Sequence, residues 1–322
     1  SSVIVSCVHG SCIYGMLHAM KNPVPRVAAI NDLSGFGRSS LTAIIPVLST
    51  MGMQVCPLPT AVLSTHTGGF ENYVFVDFTS WMRDFMDHWK SLEIEFDAIY
   101  SGFFGSAEQG SIVEEFIQRF KREDQIVLVD PVLADDGKLY DTIGDDIVQA
   151  MRKLVRSADV ITPNFTEACF LLDRSYTETI DEKGIKDCVR DLSEMGPKIV
   201  IVTSAPVGFP GGGAAYTPSG YTKHFTFVVA YDREDGRFWK LRCDYVPAYY
   251  PGTGDIFSSV ILGSLLQGDS LPIAMDRAAQ FVLTAIRSSF GYNLPKRDGV
   301  LLERVLNYLS APVPAGAYEI LE

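Results

Sequence analysis

The chain has 322 residues, 47% hydrophobic and 20% charged, which suffices for one large α/β domain or two smaller ones and is too apolar for extended disorder. A formal net charge of −12 argues against a nucleic-acid or anionic-membrane partner, either of which needs a basic face, but leaves room for a local basic pocket. The longest apolar runs fall short of the ~20 residues of a membrane span. Six scattered cysteines (Cys7, Cys12, Cys56, Cys169, Cys188 and Cys243) show no CxxC pair and no metal-ligand spacing with the five histidines, so they read as free thiols in a reducing compartment. The stretch before Lys21 is apolar but lacks a basic n-region and a small-x-small cleavage site. Residues 1–25 are therefore set apart as an N-terminal extension, and a cytoplasmic protein is expected.

From Arg26 onward, short β-rich runs alternate with amphipathic stretches. Arg26–Ile30 predicts a buried strand running into a polar, glycine-containing turn, Asn31-Asp32-Leu33-Ser34-Gly35-Phe36-Gly37-Arg38. Leu41, Ile44, Ile45, Leu48 and Met51 follow at helical spacing, with a bend expected at Pro46. Met53–Leu58 is a second strand. Residues 59–75 fit neither period and carry Ser64-Thr65-His66-Thr67-Gly68-Gly69, the signature of a functional loop or flap.

An aromatic helix (Trp81, Phe85, Trp89) precedes the strand Ala98-Ile99-Tyr100 and the turn Ser101-Gly102-Phe103-Phe104-Gly105-Ser106. Ile112, Phe116 and Phe120 form the stripe of the next helix. Ile126–Val129 is nearly continuous in apolar residues, as a central parallel strand covered on both faces requires, and ends in Asp130-Pro131-Val132. A helix marked by Ile147, Met151, Leu154 and Val155 leads to the strand Asp159–Thr162, and Pro163-Asn164-Phe165-Thr166-Glu167 opens another helix. Ile185, Val189, Leu192 and Met195 mark a helix stopped by Gly196-Pro197. Ile199–Thr203 is a further strand, and Pro206–Gly220 reads as a mobile Gly/Pro-rich loop. Phe225–Tyr231 and Phe238–Cys243 form a hairpin. Helices near 256–267, 271–290 and 299–310 close the domain, and the tail, residues 312–322, is expected to be loose. The repeated strand–helix units predict a single α/β domain over 26–311, with a mostly parallel sheet covered by helices on both faces. Asp32, Gly102, Asp130, Asn164 and Ser204 then converge beyond the carboxyl ends of the strands, where such sheets bind ligands.

The chemistry concentrates at Pro251-Gly252-Thr253-Gly254-Asp255. A glycine-rich turn opening a helix offers unpaired N–H groups and a favourable dipole to an anion, so a phosphate fits there. An acidic residue at the same place suits proton removal from an attacking hydroxyl. Gly252, Thr253 and Gly254 are thus the anion hole and Asp255 the candidate base, although a capped turn would look the same in sequence. Asp130 and Glu167 on the same rim suit Mg²⁺, directly or through water, or else serve as a turn residue and a helix-dipole partner. His66 could stack on or bond to a ring-bearing substrate. Asp135, Asp136, Gly137 and Tyr140 could form a lid, and Thr203 and Ser204 could contact nucleotide phosphates. There is no GxxxxGK[ST] loop and no GxGxxG after the first strand, which disfavours a Walker NTPase and a dinucleotide oxidoreductase.

Leu63-Ser64-Thr65-His66-Thr67-Gly68, Ser101–Ser106, Asp130–Asp135, Ile161–Glu167 and Gly252–Asp255 together resemble, in order and over residues 26–290, the pyridoxal (vitamin B6) kinases of the ribokinase-like superfamily. The resemblance implies a three-layer ribokinase-like sandwich with a small flap, and ATP-dependent phosphorylation of the 5′-hydroxymethyl group of pyridoxal, pyridoxine or pyridoxamine. It implies Asp255 as base and Thr67 and Phe103 in the ring pocket, with Asp130 and Glu167 on the Mg–ATP side. Thr162, Asn164 and Ser204 would lie near the phosphates, and Asp135 and Tyr140 in the covering loop. Family members are commonly homodimers and often need a monovalent cation such as K⁺ beside Mg²⁺.

One segment departs from the pattern. Many pyridoxal kinases carry Ser-His-Val after the first strand, whereas Asn31–Gly37 is closer to the Asp-x-Ser-Gly-Gly turn of hydroxymethylpyrimidine kinases. Asp32, with Ser34, would then face the substrate ring, which keeps a hydroxymethylpyrimidine kinase, or a sugar or other small-alcohol kinase of the same fold, as the alternative. The absence of a cysteine in the anion-hole turn favours the pyridoxal branch. A catalytically silent pyridoxal phosphate binder would have lost Asp255, Asp130 or Glu167, and all three are present.

Overall fold

The computed structural model describes residues 22–208, 214–216, 222–244, 246, 248–310 and 318–321. In chain order these form β1 (Arg26–Ser34), α1 (Leu41–Thr50), β2 (Gln54–Leu63), β3 (Phe75–Asp77), α2 (Thr79–Ser91), β4 (Ala98–Ser101), α3 (Ala107–Phe120), β5 (Ile126–Val129), the small ribbon β6 (Ala134–Asp135) and β7 (Lys138–Leu139), α4 (Asp145–Leu154), β8 (Val160–Ile161), α5 (Phe165–Leu172), α6 (Glu182–Glu194), β9 (Ile199–Ala205), β10 (Ala214–Tyr216), β11 (Thr222–Asp232), β12 (Arg237–Asp244), α7 (Thr253–Leu266), α8 (Leu271–Phe290) and β13 (Tyr318–Ile320).

The central sheet runs β13-β12-β11-β9-β8-β5-β4-β1-β2-β3. From β9 to β2 every pairing is parallel, and antiparallel strands close both edges. Alternation along each strand feeds two cores. Ala28, Ile30 and Ile99 point into the layer covered by α2 to α6, while Val27, Ala29, Ala98 and Tyr100 point toward α1, α7 and α8. This is the single-domain three-layer α/β sandwich that the alternating pattern predicts. Helix α7 is apolar on nearly every side and buried from Ile256 to Ser264, because it lies between the sheet and its neighbours α1 and α8. Its small residues allow that approach: a Cβ on Gly263 would sit 2.6 Å from the Met51 side chain.

The chain leaves β1 to pair β2 on one side and then crosses to β4, β5, β8 and β9 on the other. The switch point, where doubly wound sheets hold their ligands, is thus the carboxyl end of β1 beside β4.

Several expectations change in detail. Strand β1 continues through Asn31–Ser34, so Asp32 lies in the strand and not in the turn. Between Asn31 and Leu33 the register against β2 slips, so that Thr60 and Ala61 oppose Asp32 alone. Such bulges re-aim side chains beside active sites. Strand β2 runs to Leu63, so the flap begins at Ser64. Pro57 and Pro59 hide the strand period, and they are tolerated because β3 pairs β2 only from Ala61 onward. Strand β9 includes Ser204 and reaches Ala205. Residues 299–310 form short 3₁₀ turns (Leu302–Arg304, Leu306–Ser310) and no α-helix. Buried Leu302 and Val305, three apart, suit a 3₁₀ period as well as an α period. Within the expected loose tail, Tyr318–Ile320 pairs with β12. The expected loop at 206–220 lies largely outside the described residues, as do residues 1–21.

Candidate active site

Gly252 is the N-cap of α7 at φ 83°, and no side chain caps the helix. A Cβ there would lie 2.0 Å from the Arg38 carbonyl oxygen, so the turn packs against the loop before α1 as only glycine can. The first N–H groups of α7 open toward the cleft, with Asp255 in the same first turn.

Two donors hold the Asp255 carboxylate. The Ser40 backbone N–H donates to Oδ2 at 2.7 Å, and Asn31 Nδ2 donates to Oδ1 at 3.3 Å. Burial pushes its pKa up to about 8, reinforced by the nearby Asp130 and Asp32 carboxylates and opposed by the two donors. In its deprotonated form, which grows in as pH rises toward that value, a carboxylate of such raised proton affinity, open to a cleft beside uncapped helix N–H groups, is equipped to accept a proton from an alcohol.

Asp130 follows directly on β5 and is almost fully buried. Its donors converge on Oδ2: Ser258 Oγ at 3.0 Å and, more distantly, the Tyr100 hydroxyl at 3.5 Å. Ser258 in turn accepts from Thr162 Oγ1 at 2.8 Å. Glu167 closes a capping box on α5. Asn164 Oδ1 accepts the Glu167 N–H, Glu167 Oε2 accepts the Asn164 N–H, and Glu167 Oε1 takes the Leu133 N–H at 3.0 Å. Burial raises the pKa of both acids, and Asp130 raises that of Glu167 further. Two mutually unfavourable buried carboxylates beside a cleft fit a hard cation that relieves them. Backbone donors engage both oxygens of Glu167, whereas the donors to Asp130 meet on Oδ2, so Asp130 is the carboxylate better placed to meet such a cation directly.

Three adjoining cavities line up along the rim. The middle one, about 210 Å³, is lined by Asp130, Asp135, Tyr140, Thr162, Asn164, Glu167, Thr203, Ser204 and the Gly252–Asp255 turn. On one side a cavity of about 160 Å³ is bounded by Asp32, His66, Thr67, Phe103, Val132, Tyr140 and Tyr249, and meets the first at Asp255. On the other an apolar cavity of about 240 Å³ lies between β9, β11, β12 and α8, lined among others by Val228, Phe257, Ala279, Val282 and Ile286. Almost every residue singled out from sequence is thus brought together. Ser34, Gly102, Asp136 and Gly137 are the exceptions: none of them lines these cavities, and Ser34 is buried behind Asp32, donating to its Oδ2 at 2.9 Å.

Of the two roles expected of His66 toward a ring-bearing substrate, stacking and bonding, its hydrogen bonds leave room only for stacking. Its Nδ1 accepts the Gly68 N–H at 3.1 Å, so Nε2 is the protonated nitrogen and donates to the Arg297 carbonyl at 2.6 Å. Both nitrogens serve the flap, and only ring surface remains for a ligand. Gly37 is required beneath it, since a Cβ there would meet His66 Cδ2 at 2.4 Å. Asn31, Ser40, Ser258 and Tyr249 escape sequence reasoning. Only Ser258 carried a usable signal, one helical turn beyond Asp255 on the same face.

The phosphomethylpyrimidine kinase family model matches residues 29–299. A Bacteroides thetaiotaomicron protein provisionally named a phosphomethylpyrimidine kinase superposes in its rhombohedral crystal form with a TM-score of 0.87 at 49% identity, covering 94% of this chain and 99% of that one. An orthorhombic form, described with pyridoxal, gives 0.85 at 49% identity, covering 92% and 99%. Pyridoxal kinase from Lactobacillus plantarum gives 0.77 at 30% identity, covering 88% and 96%. Arabidopsis thaliana pyridoxal kinase is 25% identical over 279 residues, 84% of this chain and 82% of its own length.

Proposed function

Because the chain belongs to the phosphomethylpyrimidine kinase family, a family of alcohol phosphotransferases on the ribokinase-like fold, we propose that it transfers the γ-phosphoryl group of ATP to the 5′-hydroxymethyl group of pyridoxal, pyridoxine or pyridoxamine. The observation that carries this reading is the place of Asp255, where the ring-side cavity meets the cleft headed by the uncapped α7 N-terminus. The pyridoxal described with the 49%-identical Bacteroides protein supports the B6 ring as acceptor.

In this reading the ring lies beside Phe103, Val132 and Thr67, with its hydroxymethyl group at Asp255. Asp255 accepts the hydroxyl proton as the oxygen attacks Pγ. The bond from Pγ to the β,γ-bridging oxygen breaks, and ADP leaves. The N–H groups of Thr253 and Gly254 and the α7 dipole stabilise charge on the transferred group. The apolar cavity takes the nucleotide base, and Thr162, Asn164, Thr203 and Ser204 line the path of the phosphates. Asp135 and Tyr140 cover the site. Mg²⁺ near Asp130, with Glu167 acting through water, would neutralise phosphate charge, and a monovalent cation such as K⁺ is part of the same proposal.

The runner-up acceptor is hydroxymethylpyrimidine. The Asn31–Gly37 segment and the family model favour it. We further propose a cytoplasmic homodimer. Exposed Val74, Phe75, Val76 and Trp81 around β3 offer it an apolar face, and no helix among the described residues is long and apolar enough to cross a membrane.

A coupled ADP-release assay with Mg–ATP tests the reading across pyridoxal, pyridoxine, pyridoxamine, hydroxymethylpyrimidine and ribose. Turnover of a B6 vitamer is expected, and turnover of none of the three overturns it.

A further inference from the structure

Ser40 precedes α1 with φ 52° and ψ −137°, a backbone conformation that glycine adopts freely and that costs another residue on the order of 1–3 kcal/mol. Serine at such a position usually caps the helix with its hydroxyl. Here it makes no cap bond. The hydroxyl turns back into β1 and donates to Asp32 Oδ1 at 2.5 Å, while the Ser40 N–H donates to Asp255 Oδ2 at 2.7 Å. Asp32 is anchored in turn: Ser34 Oγ donates to its Oδ2, and its own N–H is held by Asn31 Oδ1 at 3.0 Å. Asn31 closes the circuit through Nδ2 to Asp255 Oδ1.

A glycine at position 40 would relieve the backbone strain and lose nothing but the hydroxyl, so the hydroxyl is the feature that a serine adds. We propose that Ser40 is a positioning residue for the base, clamped by Asp32 so that its N–H fixes one oxygen of the Asp255 carboxylate. Asp32 then acts two contacts away from the reacting hydroxyl, through Ser40, in place of bonding the substrate ring. The bulge at Asp32 gives the reason for its orientation, since it turns the carboxylate toward the loop before α1. The proposal rests on the reading of Asp255 as general base.

Ser40→Gly separates this role from a structural one. Relief of strain should leave the melting temperature equal to or above the parent's, while kcat falls about 10- to 100-fold through loss of pre-organisation. KM for acceptor and nucleotide should stay within about threefold. Asp32→Asn should lower kcat in the same direction, and the double variant should be no worse than the worse single, because the two act as one unit. Parental kcat in Ser40→Gly, or losses that multiply in the double variant, overturn the proposal. If the parent turns over no acceptor, the kinase reading is what fails. The positioning is then read without turnover from the ¹³C carboxyl resonance of Asp255, assigned by its loss in Asp255→Asn. That resonance moves in Ser40→Gly if Ser40 places the carboxylate, and an unmoved resonance overturns the proposal.

Discussion

Asn31 and Asp255, 224 positions apart in the chain, meet at 3.3 Å at the switch point of the sheet. The orientation of the Asn31 amide is dictated by its other contacts: Oδ1 accepts the N–H groups of Asp32 and Phe103, so its NH₂ can only face Asp255. Strands β1 and β4 are thereby tied to the first turn of α7. Gly102 makes the tie possible, since a Cβ there would fall 2.2 Å from Asn31 Nδ2. Gly102→Ala should displace the amide, costing about 1–3 kcal/mol of stability from overpacking and roughly tenfold in kcat, because Asp255 loses a donor. Thermal unfolding and steady-state kinetics measure both, and parental values for the two together would remove Asn31 from the design.

Asp255→Asn should cut kcat by roughly 10²–10⁴ while nucleotide affinity is kept, because the amide keeps the shape and cannot accept the proton. The same variant carries a pH prediction of definite sign. In the folded protein the carboxyl holds its proton up to about pH 8, whereas in the unfolded chain it releases it near pH 4. Between those values the native state binds the extra proton, so the parent loses stability as pH rises from about 4 toward 8. Asn removes that loss. The variant should gain stability over the parent as pH rises, on the order of a few kcal/mol by pH 8, and the gain should vanish near pH 4. Chemical denaturation across this range checks it; a gain that shrinks as pH rises would contradict the environment drawn for Asp255.

The parts of the site that were legible in the sequence are those where a local pattern and a chemical need coincide. Asp130 stands out because a near-continuous apolar strand stops at it, and Gly252–Asp255 because two glycines and an acid precede a long apolar helix. The doubly wound sheet follows from the alternation of such runs. Ser40 and Asn31 were illegible for a physical reason. Their roles are set by contacts hundreds of residues away, and a serine before a helix looks like an ordinary cap until its backbone angles are seen. Strand β2 reads short because Pro59, two residues after Pro57, imitates the start of a loop. The turns at 299–310 read as a helix because apolar residues three and four apart satisfy either period. His66 stands out for its ring, yet Gly68 and Arg297 claim both of its nitrogens.

The apolar cavity between α8 and the β11–β12 hairpin gives a test of where the nucleotide base goes. Ala279 lines it from α8, well away from Asp255 and the ring-side cavity. Ala279→Phe should fill part of that space and raise the nucleotide KM at least about tenfold, equivalent to 1.4 kcal/mol of lost binding, with the acceptor KM and the melting temperature nearly unchanged. An increase in the acceptor KM alone would mean that the two cavities have been assigned in the wrong order.

Glu167 has two possible duties that a pair of substitutions can separate. As a cap it accepts the Asn164 and Leu133 N–H groups; as a buried acid beside Asp130 it adds negative charge near the phosphate path. Glu167→Ala removes both and leaves two backbone donors unpaired, so it should cost about 1–3 kcal/mol and affect every kinetic constant. Glu167→Gln keeps one carbonyl acceptor, enough for the Asn164 N–H of the cap, but turns its NH₂ toward the Leu133 N–H, so it removes the charge and one of the two hydrogen bonds. It should cost less stability than Glu167→Ala, and the cost should shrink as pH rises. The folded pKa of Glu167 is raised by burial and by Asp130, so the parent loses stability as pH climbs above the unfolded value, and the amide does not. If the charge serves a metal, the Mg²⁺ concentration for half-maximal rate should rise about tenfold in Glu167→Gln, with the acceptor KM held. A Mg²⁺ dependence identical to the parent's would leave Glu167 as a helix cap alone and move the whole burden of metal attraction to Asp130.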